Sequence, residues 1–240
     1  MKLRSFLVAM AFIAGSMLAS AANAEDTAQL RQALSRVLPN FPATAKIIKT
    51  PYAGLYEVDV GGHLFYTDAK GSFLFAGEIL DTRTGTNVTK ARIEELDRVD
   101  WKTFPLKDSL SVVYGAGKRQ IVVFEDPYCP YCHQLEQTLE KMGNMTVHVF
   151  LFPVIRPDSP AKARDVWCAP DRARAWQDWM DQQKAPPAAS SKCDTSAIKA
   201  NLALGQRLGV QSTPTMFMPN GDRLSGAVDA AEIEKHFGAK

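Results

Sequence analysis

The sequence predicts an α+β protein in two parts, a small helix-plus-meander unit followed by a unit in which strands and helices alternate. Three observations carry this expectation. Short β-type runs separated by turn residues fill the stretch from Lys46 to Leu80. From Leu106 the pattern changes to strand, helix and strand again, which favours an α/β arrangement. At one of those strand-to-helix junctions lies Cys129-Pro130-Tyr131-Cys132.

Residues 1–24 stand apart from the fold. Lys2 and Arg4 precede an apolar run from Phe6 to Leu18, and Ala22-Asn23-Ala24 offers an A-x-A cleavage site, the pattern of a secretory signal peptide. The run is shorter than the ~20 apolar residues of a spanning helix. No later stretch is long and apolar enough to cross a bilayer, so the exported chain from Glu25 onward is expected to be soluble. The whole chain has 240 residues and a formal net charge of +2, and removing Lys2 and Arg4 with the leader brings that balance to zero. A neutral chain of this length fits one large or two small domains and gives no sign of a nucleic-acid partner.

After the leader, Asp26 or Thr27 can cap a helix with Leu30, Ala33, Leu34, Val37 and Leu38 on one face, ended by Pro39. Strands are expected at 46–50, 55–60, 63–67 and 73–80, with Gly61-Gly62 and Asp68-Ala69-Lys70-Gly71 as turns. Such a unit buries too little surface to be stable alone, so a second copy would help. The polar stretch from Thr89 to Trp101 reads as a linker helix. Strands at 109–114 and 120–125, a helix after Cys129, a strand at 146–154, helical segments from Pro160 to Gln183 and from Thr195 to Leu208, and a final ββα from Pro214 complete the chain. Trp167, Trp176 and Trp179 read as core residues.

The four cysteines are Cys129, Cys132, Cys168 and Cys193, and an exported chain keeps thiols paired or catalytic. Three pairings are open. The surroundings favour a redox-active Cys129–Cys132 pair and a structural Cys168–Cys193 pair. A C-x-x-C at a helix start places sulfur among free amides and the positive end of the helix dipole, which stabilise the attacking thiolate. Cys129 is therefore the expected nucleophile and Cys132 the buried resolving thiol. Pro130 suits the first helical position, and Tyr131 is expected to line the entrance. Thr213-Pro214 is a natural place for an unusual peptide bond.

Two other readings compete. Cys129 to His133 also spells the C-x-x-C-H haem-attachment signature, yet a βαβ pattern flanks it where a small helical protein would be expected. Zinc is disfavoured because Cys168 and Cys193 lie 25 positions apart and form no second C-x-x-C. No metal and no cofactor is expected.

The residues nevertheless fit a known pattern. Phe124-Glu-Asp-Pro-Tyr-Cys-Pro-Tyr-Cys132, Val166-Trp-Cys-Ala-Pro-Asp171 followed by Cys193, and Leu208-Gly-Val-Gln-Ser-Thr-Pro-Thr215 resemble the DsbC and DsbG family of periplasmic thiol:disulfide interchange proteins. Leu55-Tyr-Glu-Val and Gly77-Glu-Ile-Leu-Asp81 fit that family's dimerisation domain more loosely. The resemblance implies a signal peptide at 1–24, a cystatin-like dimerisation domain at 25–88, a linker helix at 89–105 and a thioredoxin-fold catalytic domain with a helical insertion at 106–240. It implies Pro214 as a cis-proline beside the sulfurs, with Thr213 before it contacting them. It also implies a V-shaped homodimer with isomerase and chaperone activity on misoxidised or unfolded exported proteins, kept reduced by a DsbD-like membrane reductase. The Pro130-Tyr131 interior looks like DsbG, whereas the Cys168 and Cys193 pair looks like DsbC. A DsbG-like reductase that protects single cysteines is the alternative.

Overall fold

The computed structural model describes residues 26–238, so the proposed leader lies outside the described residues. The described residues divide into two compact units, which meet between Leu96 and Asp97.

In the first unit a helix α1 spans 26–37. It is followed by strands β1 (Lys46–Lys49), β2 (Tyr56–Val60), β3 (His63–Thr67) and β4 (Leu74–Phe75), which form an antiparallel sheet in that order. Alternation along β2 decides what covers each face. Tyr56 and Val58 face Leu30 and Leu34 of α1, and these four make the unit's core. Glu57, paired in register with Tyr66 of β3, faces the other way. A short hairpin, β5 (Leu80–Asp81) with β6 (Thr86–Asn87), leads into α2 (Val88–Leu96), which covers that second face. There Tyr66 and Thr89 share a buried hydroxyl pair at 2.8 Å, and Arg92 bonds Glu57 at 3.1 Å.

Several expectations for this unit need correction. Val37 lies off the apolar stripe of α1 and is exposed. The single strand expected at 73–80 is broken into β4 and β5, because the Ile79 amide leaves the ladder and donates to Thr89 Oγ1 at 2.9 Å. The helix expected through Trp101 stops at Leu96. Beyond it, the Val99 amide donates to the Gly221 carbonyl at 3.0 Å, and Asp100 caps a 3-10 turn over Trp101–Thr103. The stretch 89–105 is therefore not one linker helix: α2 packs with the first unit and 97–105 with the second.

The second unit is a five-stranded mixed sheet flanked by helices. Its strands are β7 (Leu110–Tyr114), β8 (Arg119–Glu125), β9 (Met145–Leu151), β10 (Thr215–Phe217) and β11 (Arg223–Ser225), in the order β11-β10-β8-β9-β7. Only β8 and β9 run parallel, joined through α3 (Pro130–Met142). The other helices are α4 (Ser159–Trp167), α5 (Arg172–Gln182), α6 (Ser196–Arg207) and α7 (Ala230–Gly238).

The central strand β8 is buried on both faces, as its unbroken apolar run suggests. Ile121 and Val123 face a core shared with Leu135 and Leu139 of α3 and with Trp176 of α5. Val122 and Phe124 face the opposite core, where Phe104, Phe150, Phe152 and Phe217 meet Leu204 of α6. That second core is tight. A Cβ at Gly205 would fall 2.5 Å from the Phe152 ring, so α6 can approach the sheet only with glycine there.

Cys168, at the end of α4, is bonded to Cys193, which precedes α6. The bridge fastens a 25-residue separation that includes α5, and the Trp167 indole N–H reinforces it by donating to the Asp194 carbonyl at 3.0 Å. Loop-closure entropy for that length is worth about 3.5 kcal/mol. Replacing both cysteines by serine should accordingly lower Tm. An unchanged melting curve would show that the bridge constrains nothing the remaining packing does not already fix.

Candidate active site

The site is assembled at the point where β8 gives way to α3. Cys129 is the N-cap residue, extended at φ −79° and ψ 117°, and Pro130 fills the first helical position, where its missing amide costs nothing. The first turn closes through the Cys132 and His133 amides, which donate to the Cys129 carbonyl at 3.0 and 3.2 Å. From there Cys132, Leu135 and Leu139 run down the inner face of α3 and are fully buried.

Both sulfurs are free thiols, and their environments differ. Cys129 Sγ lies at the helix mouth and donates to the Thr213 carbonyl at 3.2 Å. Its pKa is lowered to about 6, first by the hydrogen bond from the Cys132 thiol, then by the Thr213 side chain and the amides of the first turn, against the opposing effect of burial. Burial pushes the Cys132 thiol strongly up, and the neighbouring Cys129 and Glu125 add to the effect. The geometry thus yields one ready thiolate beside one thiol held protonated.

Pro214, cis to Thr213, sits on the segment that presents the Thr213 carbonyl to Cys129. Tyr131 points outward and is 62% exposed. The structure brings Cys129, Cys132, Pro130, Tyr131, Thr213 and Pro214 into one site, while Cys168 and Cys193 are bonded to each other. His133, which a haem-attachment motif would use as ligand, hydrogen-bonds through Nδ1 to the Met180 carbonyl of α5 at 2.6 Å.

Three carboxyl groups at the site were missed by sequence reasoning. Asp126 is fully buried and accepts four hydrogen bonds: from the amides of Tyr128 (2.8 Å), Val154 (2.6 Å) and Ile155 (2.8 Å), and from the Ser159 hydroxyl (2.9 Å). Glu136, one turn beyond Cys132, accepts from the Tyr114 hydroxyl at 2.7 Å and the Trp176 indole at 2.8 Å. Glu125, on the same face of β8 as Ile121 and Val123, is wholly buried, and neither of its oxygens has a hydrogen-bond partner among the described residues. Burial first, and then the neighbouring Glu136, hold its carboxyl well above the usual range. The available signal was a carboxylate ending an otherwise apolar strand, Ile121-Val-Val-Phe-Glu125.

Comparison with known proteins bears on this geometry. The family model of a thioredoxin-like domain matches residues 106–239, and that of the disulfide bond isomerase protein N-terminal domain matches residues 20–90. The probable thiol:disulfide interchange protein DsbC of Bordetella pertussis is 42% identical over 205 residues, covering 85% of this chain and 72% of the relative. The thiol:disulfide interchange protein DsbC of Escherichia coli is 28% identical over 216 residues, covering 88% and 86%. A crystal structure of a disulfide interchange protein from Neisseria gonorrhoeae, 40% identical, superposes with a TM-score of 0.52 over 55% of this chain and 94% of that one.

The difference between the two thiols is measurable. Thiolate absorbance or alkylation of the reduced protein should titrate with a midpoint of about 6 at Cys129, with no second thiol ionising near neutrality. The sign for stability follows. Because the folded pKa lies below the ordinary value of 9.0, the folded reduced chain binds fewer protons than the unfolded one between those values. Its stability should rise with pH across that window and lose this contribution as pH falls through about 6. A midpoint near 9 would remove the basis for treating Cys129 as activated.

Proposed function

This chain belongs to the DsbC family of thiol:disulfide interchange proteins, and on that premise we propose that it is a periplasmic disulfide isomerase whose nucleophile is Cys129 and whose resolving thiol is Cys132. The observation that carries the reading is the contrast between the two sulfurs, one lowered to about 6 and the other held up by burial. A stable thiolate attacks and also leaves well, which suits an enzyme that must enter and abandon substrate disulfides repeatedly.

In the proposed cycle the Cys129 thiolate attacks one sulfur of a wrongly paired disulfide in an exported protein. A mixed disulfide forms, and the other substrate sulfur departs as a thiolate that takes a proton from water. A substrate thiolate then attacks the mixed disulfide, forming a new substrate disulfide and returning Cys129 as thiolate. If none arrives, Cys132 attacks Cys129, and its proton passes to the substrate sulfur that leaves. The substrate is released reduced and the Cys129–Cys132 disulfide is left for a membrane reductase of the DsbD type. Thr213 and Pro214 position the Cys129 sulfur, Pro130 shapes the first turn and Tyr131 borders the approach.

A homodimer through the first unit belongs to the same proposal. The N-terminal family model supports it, as do Phe73, Leu74, Phe75 and Leu80, which are exposed on and beside the edge strand β4. A second edge added to β4 would bury those side chains and satisfy open backbone groups. Periplasmic residence is supported by the leader pattern and the bridged Cys168–Cys193 pair. No described helix is long and apolar enough to cross a membrane.

Cys129→Ser is expected to abolish reshuffling of a scrambled disulfide substrate, while Cys132→Ser should accumulate trapped mixed disulfides visible on non-reducing gels. Full isomerisation by the Cys129→Ser protein would refute the mechanism. Binding of unfolded chains that survives Cys129→Ser would mark a holding activity separate from exchange.

Oligomeric state is decided independently by light scattering on the protein from Glu25 onward. Twice the chain mass is expected at micromolar concentration. A single species of one chain's mass would refute the dimer.

A further inference from the structure

Away from the thiols, the second unit carries a groove of about 410 Å³ between α4 and α6. That volume is within the range of ligand-binding clefts, roughly 300–1,000 Å³. One wall is Pro160, Ala161 and Arg164 of α4, and the other is Ile198, Lys199 and Leu202 of α6. Ile198 is buried and Leu202 half-buried, so the floor is apolar, whereas Arg164 and Lys199 are exposed. The walls are fastened to each other. Cys168, at the end of α4, is bonded to Cys193, just before α6, and the Trp167 indole N–H donates to the Asp194 carbonyl at 3.0 Å.

The two cations are the unusual part. Neither the Arg164 nor the Lys199 side chain has an ion pair, a hydrogen bond or a ring contact among the described residues. Their neighbours are engaged. Lys162, on the same helix as Arg164, lies over the Trp179 ring at 3.9 Å from its centroid, and Arg156 pairs with Asp158 at 2.9 Å. The carboxylates next to the groove in sequence are also committed, Asp165 to the Ala189 amide at 2.9 Å and Asp194 to the Ser196 amide at 2.8 Å. Free cations on a helix surface are ordinary by themselves. Here one stands on each wall of an apolar groove, and nothing within the described residues neutralises either.

We propose that this groove docks an acidic segment of a partner protein, in which an apolar side chain is flanked by carboxylates. Charge complementarity selects the occupant. The carboxylates would meet Arg164, whose planar fork suits them, and Lys199, while the apolar side chain covers Ile198 and Leu202. A nucleic acid offers the anions but no aliphatic group for the floor. From Ile198 to Leu202 the floor is one helical turn, about 6 Å, which matches one or two side chains and is too short for a lipid acyl chain. Because the groove involves neither Cys129 nor Cys132, the proposal does not rest on the exchange reading. It adds to the protein a contact that neither forms nor breaks when sulfur bonds exchange.

The test uses the full protein with Cys129 and Cys132 oxidised, and two fluorescein-labelled peptides without cysteine, one with a Glu-Leu-Leu-Glu core and one with Lys-Leu-Leu-Lys. Fluorescence anisotropy should show the acidic peptide binding roughly tenfold more tightly than the basic one, the scale of two partly exposed charge pairs. In the Arg164→Ala/Lys199→Ala protein its affinity should fall about fivefold or more and lose most of its salt dependence. Both positions are exposed, and an unchanged Tm confirms that the variant folds. Equal affinity for the two peptides, equal affinity of wild type and variant, or no binding of the acidic peptide at about 1 mM each overturns the proposal. So does binding of octanoate or of phosphatidylglycerol vesicles that depends on Arg164 and Lys199 while the acidic peptide does not bind. Failure of disulfide exchange would appear in none of these measurements, so the two readings fall separately.

Discussion

Everything at this site depends on stabilising one negative charge on sulfur at the end of a helix without admitting water to its neighbour. The mouth of α3 meets the first half of the requirement through its free amides and the Cys132 thiol hydrogen bond. The second half is met by the core. Cys132 lies on the α3 stripe that continues through Leu135 and Leu139, in contact with the apolar side chains of β8. The motif spacing alone would not separate the two sulfurs so widely. The strand-to-helix junction does so, by setting Cys129 at the N-cap and Cys132 three residues further along, on the inner face.

The same junction explains why the supporting loops are held by carboxyl groups. The chain leaving β8 must turn sharply before Cys129, which takes backbone amides out of the sheet. Asp126 collects those of Tyr128, Val154 and Ile155 into one buried acceptor. Replacing it by alanine would leave several donors without a partner, and each such loss is costly in a buried place. The Trp179 indole N–H meets the Pro127 carbonyl at 2.5 Å from the other side, so α5 also props the loop. The helical insertion thus shapes the active-site approach as well as covering the sheet.

Much of this was legible in the sequence, because the signals were local. The C-x-x-C with proline after its first cysteine marks a helix start, the turn residues mark the meander, and the alternation of strands and helices gives the second unit. Its thioredoxin-like fold agrees with the family model over residues 106–239. The failures came where a tertiary contact outweighed local pattern. The stretch 73–80 has the composition of a strand, but the Thr89 side chain draws Ile79 away from the ladder. The helix after Thr89 has polar residues able to continue past Leu96, yet the Gly221 carbonyl captures the Val99 amide. Glu125 and Asp126 were passed over because a carboxylate beside proline at a strand end reads equally well as a turn. Only the burial of both exposes their role.

Glu125 also bears on how the pair works. A carboxyl buried in a dry core is costly as an anion, so its pKa is raised well above the ordinary range, by burial first and then by Glu136. Interaction between titrating groups is reciprocal: the Cys129 thiolate contributes to raising Glu125, and an ionised Glu125 would raise the Cys129 thiol by the same coupling. Charge on Glu125 would therefore oppose charge on Cys129, whose thiolate the helix mouth stabilises. Once Cys129 is bonded to another sulfur its charge is gone, and one of the influences holding the proton on Glu125 goes with it. The buried carboxyl and the reactive sulfur are thus linked, with burial and Glu136 the larger influences on Glu125 in either covalent state of Cys129.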